Sequence, residues 1–223
     1  MTGRFITFEG GEGAGKSTQI GRLRQRLEAV PLEVLATREP GGSARAEKIR
    51  AFILEGKAKH LGPFAEAVLF TAARIDHVDR TILPALQRGV HVLCDRFADS
   101  TRAYQGASGQ VDPELIGSLE RIALKGLRPD VTFILDLPAE VGLSRVGRRQ
   151  ADLGEGTDRF EQEGIGFHQA LREAFLAIAE ADPERCIVID ADRDPDAIEE
   201  AIWSALRERL PELTGETRAA HVA

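Results

Sequence analysis

The chain has 223 residues, 43% of them hydrophobic, and a formal net charge of −7 at pH 7. A chain of this length can bury a substantial core as one domain, and its acidic balance argues against a nucleic-acid polymer or a membrane surface as a partner, because both attract basic proteins. No apolar run approaches the ~20 residues that a membrane-spanning helix needs, and the first predicted strand begins too early for a secretion signal, so we expect a cytoplasmic protein.

Five apolar runs suit buried strands, and helical patterns lie between them. The runs are Phe5–Phe8, Leu32–Ala36, Val90–Cys94, Val131–Leu135 and Cys186–Ile189. This alternation predicts an α/β fold, a five-stranded parallel sheet with helices on both faces. We expect one domain over residues 1–210 and a frayed tail over residues 211–223. Cys94 and Cys186 both fall in the runs, which favours buried reduced thiols over a disulfide framework.

A glycine-rich turn follows the first strand. The segment from Gly10 to Ser17 fits G-x-x-x-x-G-K-[ST] between a strand and a helical pattern, which is the context of a phosphate-binding loop. Its N–H groups and Lys16 would hold the phosphates of a nucleoside triphosphate, and the Ser17 hydroxyl would ligate Mg²⁺. The alternative, an ordinary glycine-rich turn, is disfavoured because lysine is scarce in this chain. The predicted binding residues are Gly10, Gly11, Glu12, Gly13, Ala14, Gly15, Lys16, Ser17 and Thr18.

Polar residues follow the other predicted strands, at the edge where a parallel sheet gathers its ligands. After the second strand, the segment Pro40-Gly41-Gly42 predicts a sharp turn that aims Arg38 back over the strand ends. Arg38 and Glu39 could form a solvated pair, but beside a phosphate loop a phosphate contact by Arg38 is the better explanation. Glu9, Asp95, Asp136 and Asp190 end other strands.

The pattern over residues 63–86 is helical. Phe70, Arg74 and either His77 or Val78 share one face of this helix, at spacings of three and four residues. Phe70 could belong to the core. An arginine one turn further along instead favours a surface that stacks on a base and hydrogen-bonds to it.

The third strand ends in Asp95, the position of the carboxylate near Mg²⁺ in P-loop enzymes. Arg96 follows it, where hydrolytic ATPases commonly carry a glutamate that activates water. This difference favours transfer to an anionic acceptor over hydrolysis. The next polar segment, Ser100–Gly106, is predicted to be a loop.

A helix predicted over residues 141–149 is rich in arginine, and a flexible run over residues 150–157 separates it from the sequence DRFE at 158–161. Such a charge cluster could be a solvated helix face. In a phosphoryl-transfer enzyme, however, it suits a lid over about residues 141–160 that closes on the triphosphate and neutralises charge. The arginines of this lid helix are Arg145, Arg148 and Arg149.

Taken together, these motifs resemble the bacterial thymidylate kinases. The resemblance runs from Phe5 to about Asp192 and includes EGGEGAGKST, TREPGG, F-x-A-x-R, DRF, S-x-x-A-Y-Q-G and the DRFE that ends the lid. TREPGG and AYQG together are specific to this family among nucleoside monophosphate kinases. The resemblance implies a nucleoside monophosphate kinase fold and the Mg²⁺-dependent reaction of ATP with dTMP to give ADP and dTDP. The alternative is a kinase of another nucleoside monophosphate or of a deoxynucleoside.

The resemblance also implies roles for single residues. Lys16 would hold the ATP phosphates, with Glu9 and Asp95 near the metal, largely through water. Arg38 and Arg96 would grip the acceptor phosphate. The other implied acceptor contacts are Glu12 to the 3′-hydroxyl, Phe70 stacked on thymine, Arg74 at its carbonyl edge, Ser100 and Gln105 on the ring, Tyr104 crowding the 2′ position, and Arg50 near the nucleoside.

The source of the catalytic cation distinguishes branches of this family. In one branch the phosphate loop carries an arginine, where this chain has Gly13. This chain resembles the branch whose lid supplies the cation, so one of the three lid arginines would be the arginine finger. Gly109 stands where relatives often have arginine, which affects the packing around the acceptor. The family also implies a homodimer through helices around residues 63–86 and 113–124.

Two other classes of P-loop protein fit the sequence less well. A nucleotide-dependent switch would need the guanine-selective N-K-x-D motif, and the chain contains no asparagine. A hydrolytic ATPase is disfavoured by Arg96.

Overall fold

The computed structural model describes residues 3–107, 111–153 and 159–215. Within them a five-stranded parallel sheet has the order β2-β3-β1-β4-β5, which confirms the predicted α/β class and all five strands. The strand bounds differ from the predicted ones by one or two residues. The strands are Phe5–Glu9 (β1), Val34–Arg38 (β2), His91–Asp95 (β3), Val131–Asp136 (β4) and Cys186–Asp190 (β5).

Helices cover both faces of this sheet. Among the described residues the α-helices are Lys16–Glu28 (α1), Ala44–Leu54 (α2), Gly62–His77 (α3), Leu83–Gln87 (α4), Ala98–Thr101 (α5), Pro113–Leu124 (α6), Ala139–Leu153 (α7), Ile165–Ala181 (α8) and Pro195–Arg209 (α9). Short 3₁₀ turns occupy Lys59–Leu61 and Pro211–Leu213. Of the predicted segments, Gly109, residues 154–157, Asp158 and the tail beyond Gly215 lie outside the described residues. The first half of the run predicted to be flexible, residues 150–153, is the last turn of α7.

Two further predicted segments differ from the structure. The single helix expected over residues 63–86 is interrupted by a π-helical turn at Val78–Ile82. The segment expected to be a loop after Ser100 is helical instead, because α5 continues into a second π-helical turn at Arg102–Ala107. Burial explains the second difference: Ala103, Tyr104 and Gln105 pack inside the molecule, where an irregular backbone would leave polar groups without partners.

Strand β1 lies in the centre of the sheet, and all five of its residues are buried. Side chains alternate between the two faces of a strand. Ile6 and Phe8 pack in the cluster that contains α1 and α9, whereas Phe5 packs in the cluster around α4 and Phe97. Glu9 has the parity of Phe5 and therefore points to the face that carries α5.

Both cysteines are free and buried, as predicted. No helix within the described ranges combines the length and the hydropathy of a membrane span.

Candidate active site

A cavity of about 350 Å³ opens at the carboxyl ends of the strands, as expected for a parallel α/β sheet. It brings together the phosphate loop, the turn after β2, α3 and the segment after β3. The predicted site residues that line it are Glu12, Gly13, Ala14, Gly15, Lys16, Ser17, Thr18, Arg38, Arg50, Phe70, Arg74, Asp95, Arg96, Ser100, Tyr104, Gln105 and Arg149. Those that do not line it are Glu9, Gly10, Gly11, Arg145 and Arg148.

The phosphate loop has the conformation that its glycines allow. Gly13 has a φ of +69°, and a Cβ atom there would lie 2.2 Å from the carbonyl oxygen of Gly142 at the start of α7. Only glycine fits a left-handed backbone packed this closely on another helix. The loop then leads directly into α1 at Lys16, so the first N–H groups of that helix face the cavity.

Lys16 is buried at the base of the loop. Its Nζ donates to the carbonyl oxygens of Gly10 at 3.1 Å and Gly11 at 2.8 Å. Burial and the nearby Arg96 lower the pKa of Lys16 to about 8, against the opposing effect of Glu12. The ammonium group therefore remains charged at neutral pH and is held by the loop that would receive the triphosphate.

Two oxygen donors meet at the start of α1. The Ser17 hydroxyl donates to Asp95 Oδ2 at 2.5 Å. A hydroxyl and a carboxylate suit Mg²⁺, which prefers oxygen ligands and keeps several waters. The described residues contain no group of three or more His, Cys, Asp or Glu side chains placed to hold a metal. This pair therefore fits a magnesium ion held mainly by water and by the phosphates of a nucleotide.

Arg96 spans the gap between the phosphate loop and the opposite wall. It follows β3 with a left-handed φ of 66°, and its guanidinium donates to Gly10 O at 3.1 Å and to Glu12 Oε1 at 2.8 Å. The same Glu12 oxygen accepts the Tyr104 hydroxyl at 2.5 Å, and the guanidinium lies 5.0 Å over the Tyr104 ring. Burial opposes ionisation of Glu12, but Arg96, Lys16 and Tyr104 together lower its pKa to about 2.

Glu9 lies behind the cavity and not in it. Its carboxylate is fully buried and accepts the N–H of Phe97 at 2.7 Å and the N–H and hydroxyl of Ser100 at 3.2 and 2.6 Å. Burial and Asp99 raise the pKa of Glu9 to about 7. Both oxygens thus serve the turn into α5, and the water-mediated metal contact predicted for Glu9 stays a prediction.

An aromatic wall forms the other end of the cavity. The Phe160 ring centroid lies 6.2 Å from that of Phe70 and 5.2 Å from that of Tyr104. Phe160 was not predicted as a site residue, although the DRFE motif that contains it was the available signal. Other lining residues not predicted to act in the site are Glu39, Pro40, Leu54, Phe97, Thr101 and Glu161.

Arg74 is buried beside this aromatic wall. Its Nε donates to Glu39 Oε2 at 2.6 Å, and its Nη2 donates to Phe97 O at 3.0 Å and Thr101 Oγ1 at 3.1 Å. Of the residues predicted to share its helix face, Phe70 also lines the cavity, whereas neither His77 nor Val78 does.

The two arginines from the β2–α2 region lie at the open side. Arg38 is exposed, and its Nη2 lies 3.3 Å from both carboxylate oxygens of Glu47. Arg50 donates to Pro40 O at 2.8 Å. Both line the cavity, so both are placed to meet an anion that enters it.

The lid arginines separate clearly in space. Arg149 lines the cavity and donates to Glu161 at 3.0 Å. Arg145 instead donates to Ala191 O at 3.1 Å, beyond the end of β5, and Arg148 is exposed. Sequence spacing could not distinguish the three; in the described conformation only Arg149 among them faces the cavity.

The comparisons with known proteins agree with one another. A family model described as thymidylate kinase matches residues 8–202. The thymidylate kinase of Bradyrhizobium diazoefficiens is 58% identical over 209 residues, covering 93% of this chain and 90% of that protein. That of Nitrobacter winogradskyi is 55% identical over 218 residues, covering 97% and 94%. The crystal structure of thymidylate kinase from Ehrlichia chaffeensis has a TM-score of 0.74 and 32% identity, and the match covers 92% of this chain and all of that chain.

Proposed function

The chain belongs to the thymidylate kinase family, and from that premise we propose that it transfers the γ-phosphoryl group of ATP to dTMP, giving ADP and dTDP. The observation that supports this most directly is the position of Arg96. It links the Gly10 carbonyl of the donor loop with Glu12 and Tyr104 on the acceptor side. One cavity therefore presents the phosphate loop and the opposite wall to its ligands, with a fixed cation that contacts both.

The reaction asks for little covalent chemistry from the protein. The acceptor phosphate is already an anion, so no strong base is needed, and the task is to hold two repelling anions in line in a site that excludes water. Lys16 and the loop N–H groups would bind the ATP phosphates. Arg96 and Arg38 would bind the acceptor phosphate. Arg149, which lines the cavity, would neutralise the charge that develops on the transferred group.

We propose Ser17 and Asp95 as the residues that hold Mg²⁺, since their two oxygens face the phosphate loop. When bound, the ion would neutralise the charge on the ATP phosphates. Their role in the protein alone is to orient each other through the hydrogen bond between them.

The remaining lining residues suit a pyrimidine deoxynucleotide. Phe70 would stack on thymine in the aromatic wall, with Arg74 at the carbonyl edge. Glu12, ionised and fixed by two donors, would accept a hydrogen bond from the 3′-hydroxyl. Tyr104 would crowd the 2′ position and so disfavour ribonucleotides. The further proposed contacts are Ser100, Gln105 and Arg50.

A homodimer is supported by exposed apolar side chains on three neighbouring helices. Helix α3 packs between α2 and α6, and exposed apolar side chains occur on all three helices. On α3, Phe64 is 48% exposed, and on α6, Ile122 is 64% exposed. Light scattering should give twice the chain mass, and Phe64→Asp should shift it to the monomer. A monomeric wild type would refute the dimer. The cytoplasmic location stays a prediction.

The decisive experiment is an acceptor panel. Purified protein with ATP and Mg²⁺ is offered dTMP, dUMP, UMP, GMP and thymidine in separate reactions, and ADP release is measured. We expect dTMP to have the highest kcat/KM. A preference for any other acceptor, or ADP release without an acceptor, would overturn the proposal.

A further inference from the structure

A chain of buried hydrogen bonds lies behind Arg74. Arg74 Nε donates to one oxygen of Glu39 at 2.6 Å, and the other Glu39 oxygen lies 3.0 Å from His77 Nδ1. The second ring nitrogen, His77 Nε2, lies 2.8 Å from Thr37 Oγ1. Because a carboxylate oxygen accepts hydrogen bonds, we assign Nδ1 of His77 as the donor in this contact.

His77 has no access to the cavity. Its side chain is completely buried, and it is absent from the cavity lining, whereas Glu39 and Arg74 are part of that lining. His77 and Arg74 are three residues apart on α3 and therefore lie on the same side of the helix. From there each donates to a different oxygen of Glu39, so the carboxylate is gripped from both ends.

The turn after β2 is built around the His77 ring. Gly42 has a φ of +80°, and a Cβ atom there would lie 2.2 Å from His77 Nε2 and 2.6 Å from Thr37 Oγ1. No larger residue fits without displacing the ring. The second glycine of TREPGG is thereby explained by close packing against a histidine distant in the sequence.

The guanidinium of Arg74 is fixed at two of its three nitrogens. Nε is held by Glu39, and Nη2 is held by Phe97 O and Thr101 Oγ1. Among the described residues no hydrogen bond is made by Nη1, which leaves it as the donor available to a ligand. Rotation of Glu39 would release the Nε contact and turn the plane of the guanidinium.

We propose that His77 is a positioning residue for acceptor recognition. Through Glu39 it fixes the plane of the Arg74 guanidinium, and it thereby sets the affinity for the pyrimidine base without touching it. This inference rests on the proposed function, in which Arg74 meets the carbonyl edge of thymine. Loss of the His77 proton donor leaves one Glu39 oxygen buried without its partner, so the carboxylate will rotate to find another.

The test compares His77→Leu, which removes both ring nitrogens, with His77→Asn, whose amide can replace the Nδ1 donor. For His77→Leu we expect KM for dTMP to rise on the order of tenfold, with kcat and KM for ATP within about threefold of wild type. His77→Asn should recover most of the dTMP affinity. Calorimetric titration with dTMP in the absence of ATP should show the same order, with the highest affinity in the wild type, a slightly lower one in His77→Asn and the lowest in His77→Leu.

Controls separate positioning from general damage. His91→Leu removes another histidine, which lies at the amino-terminal end of β3 and does not line the cavity. Its ring accepts the backbone N–H of Arg4 at 2.9 Å. This variant should leave KM for dTMP unchanged. If His77→Leu does not fold, Thr37→Val tests the outer end of the same chain, with an expected rise in KM for dTMP of about threefold.

Three results would overturn the inference. The first is a folded His77→Leu that binds dTMP as tightly as wild type or, if His77→Leu does not fold, a Thr37→Val that does so. The second is a variant that loses affinity for dTMP and for ATP to the same extent. The third is a His77→Asn that recovers none of the dTMP affinity lost in His77→Leu. A wild-type protein that neither binds nor phosphorylates dTMP would instead refute the proposed function.

Discussion

The buried arginines of the cavity and the arginines of α7 differ in how they are held. Arg74 and Arg96 each donate to a carboxylate, at 2.6 and 2.8 Å, and each also donates to a backbone carbonyl. On α7, Arg145 and Arg149 have side chains that are 38% and 50% exposed. The first group cannot turn without breaking buried bonds, whereas the second can change partners at small cost.

This difference suits the arginines to two tasks, which are binding a ligand and stabilising charge during the transfer. A fixed cation binds a ligand in a single orientation, because its geometry is already determined before the ligand arrives. A mobile cation can follow charge that appears only during the transfer. The comparison therefore predicts that changes in the fixed group act through binding and that changes on α7 act through turnover.

The largest effect should come from Lys16, a fixed cation that differs from Arg74 and Arg96 because it would hold the ATP phosphates during the transfer itself and would therefore act on turnover. Lys16→Ala removes the ammonium group that is buried against the phosphate loop, and we expect kcat to fall by about 10³-fold or more. Lys48→Ala, at an exposed position on α2, is the matched control and should retain wild-type turnover. Steady-state dTDP formation measures both. Undiminished dTDP formation by Lys16→Ala would refute the donor-site assignment.

The α7 arginines should differ among themselves. Arg149→Ala should lower kcat on the order of 10³-fold with a small change in KM for dTMP, because Arg149 is the member of this group that faces the cavity. Arg145→Ala should lower kcat by no more than about tenfold, since its side chain donates towards Ala191. A reversed order would show that the lid rearranges before transfer. Turnover within a few-fold of wild type after all three are replaced by alanine would refute the lid assignment.

Glu12→Gln tests the fixed acceptor side. The substitution removes the charge opposite Arg96 while keeping the shape, and we expect KM for dTMP to rise by about 10- to 100-fold. KM for ATP should change little. Because the pKa of Glu12 is about 2, the wild-type carboxylate is ionised throughout the pH range of an assay, and its contribution should not vary between pH 6 and 9. A dTMP affinity that depends on protonation of Glu12 in that range would contradict the structure.

The smallest effect is on stability and concerns Glu9. Its pKa is about 7 in the folded protein, against an ordinary value of 4.5. Between these values the folded chain keeps a proton that the unfolded chain has lost, so the free energy of unfolding should decrease as pH rises from about 4.5 to 7. The change is on the order of 3 kcal/mol, at ~1.4 kcal/mol per pKa unit. In urea unfolding, the free energy of unfolding of Glu9→Gln should not show this decrease between pH 4.5 and 7. The same pH dependence in the variant and in the wild type would contradict the prediction.

The fold was predictable because its signals are local. Apolar runs and the glycine spacing between Gly10 and Gly15 identify strands and the phosphate loop from short windows of sequence. The direction of the site side chains was not predictable, because their hydrogen-bond partners are distant along the chain. Arg74 depends on Glu39, and Arg96 on Glu12, contacts that no spacing rule reveals.

The same limit applies to the surroundings of Glu9 and Arg145. The family resemblance implies a role near the metal for Glu9, and only the fold shows that its carboxylate accepts the N–H groups of Phe97 and Ser100. Helix spacing puts Arg145 near Arg148 and Arg149, but the end of β5 offers it the Ala191 carbonyl. Phe160 joins the cavity through aromatic contacts with Phe70 and Tyr104 that likewise depend on the fold.

The state of the two thiols has a practical consequence for following the lid. Burial raises the pKa of Cys94 well above its usual range and that of Cys186 to about 11, so neither sulfur reacts readily as a thiolate. A maleimide dye should therefore leave the native chain unlabelled and attach selectively to a new cysteine at exposed position 148. The fluorescence of such a conjugate would report movement of α7 as each nucleotide is added, with no need to remove the natural cysteines first.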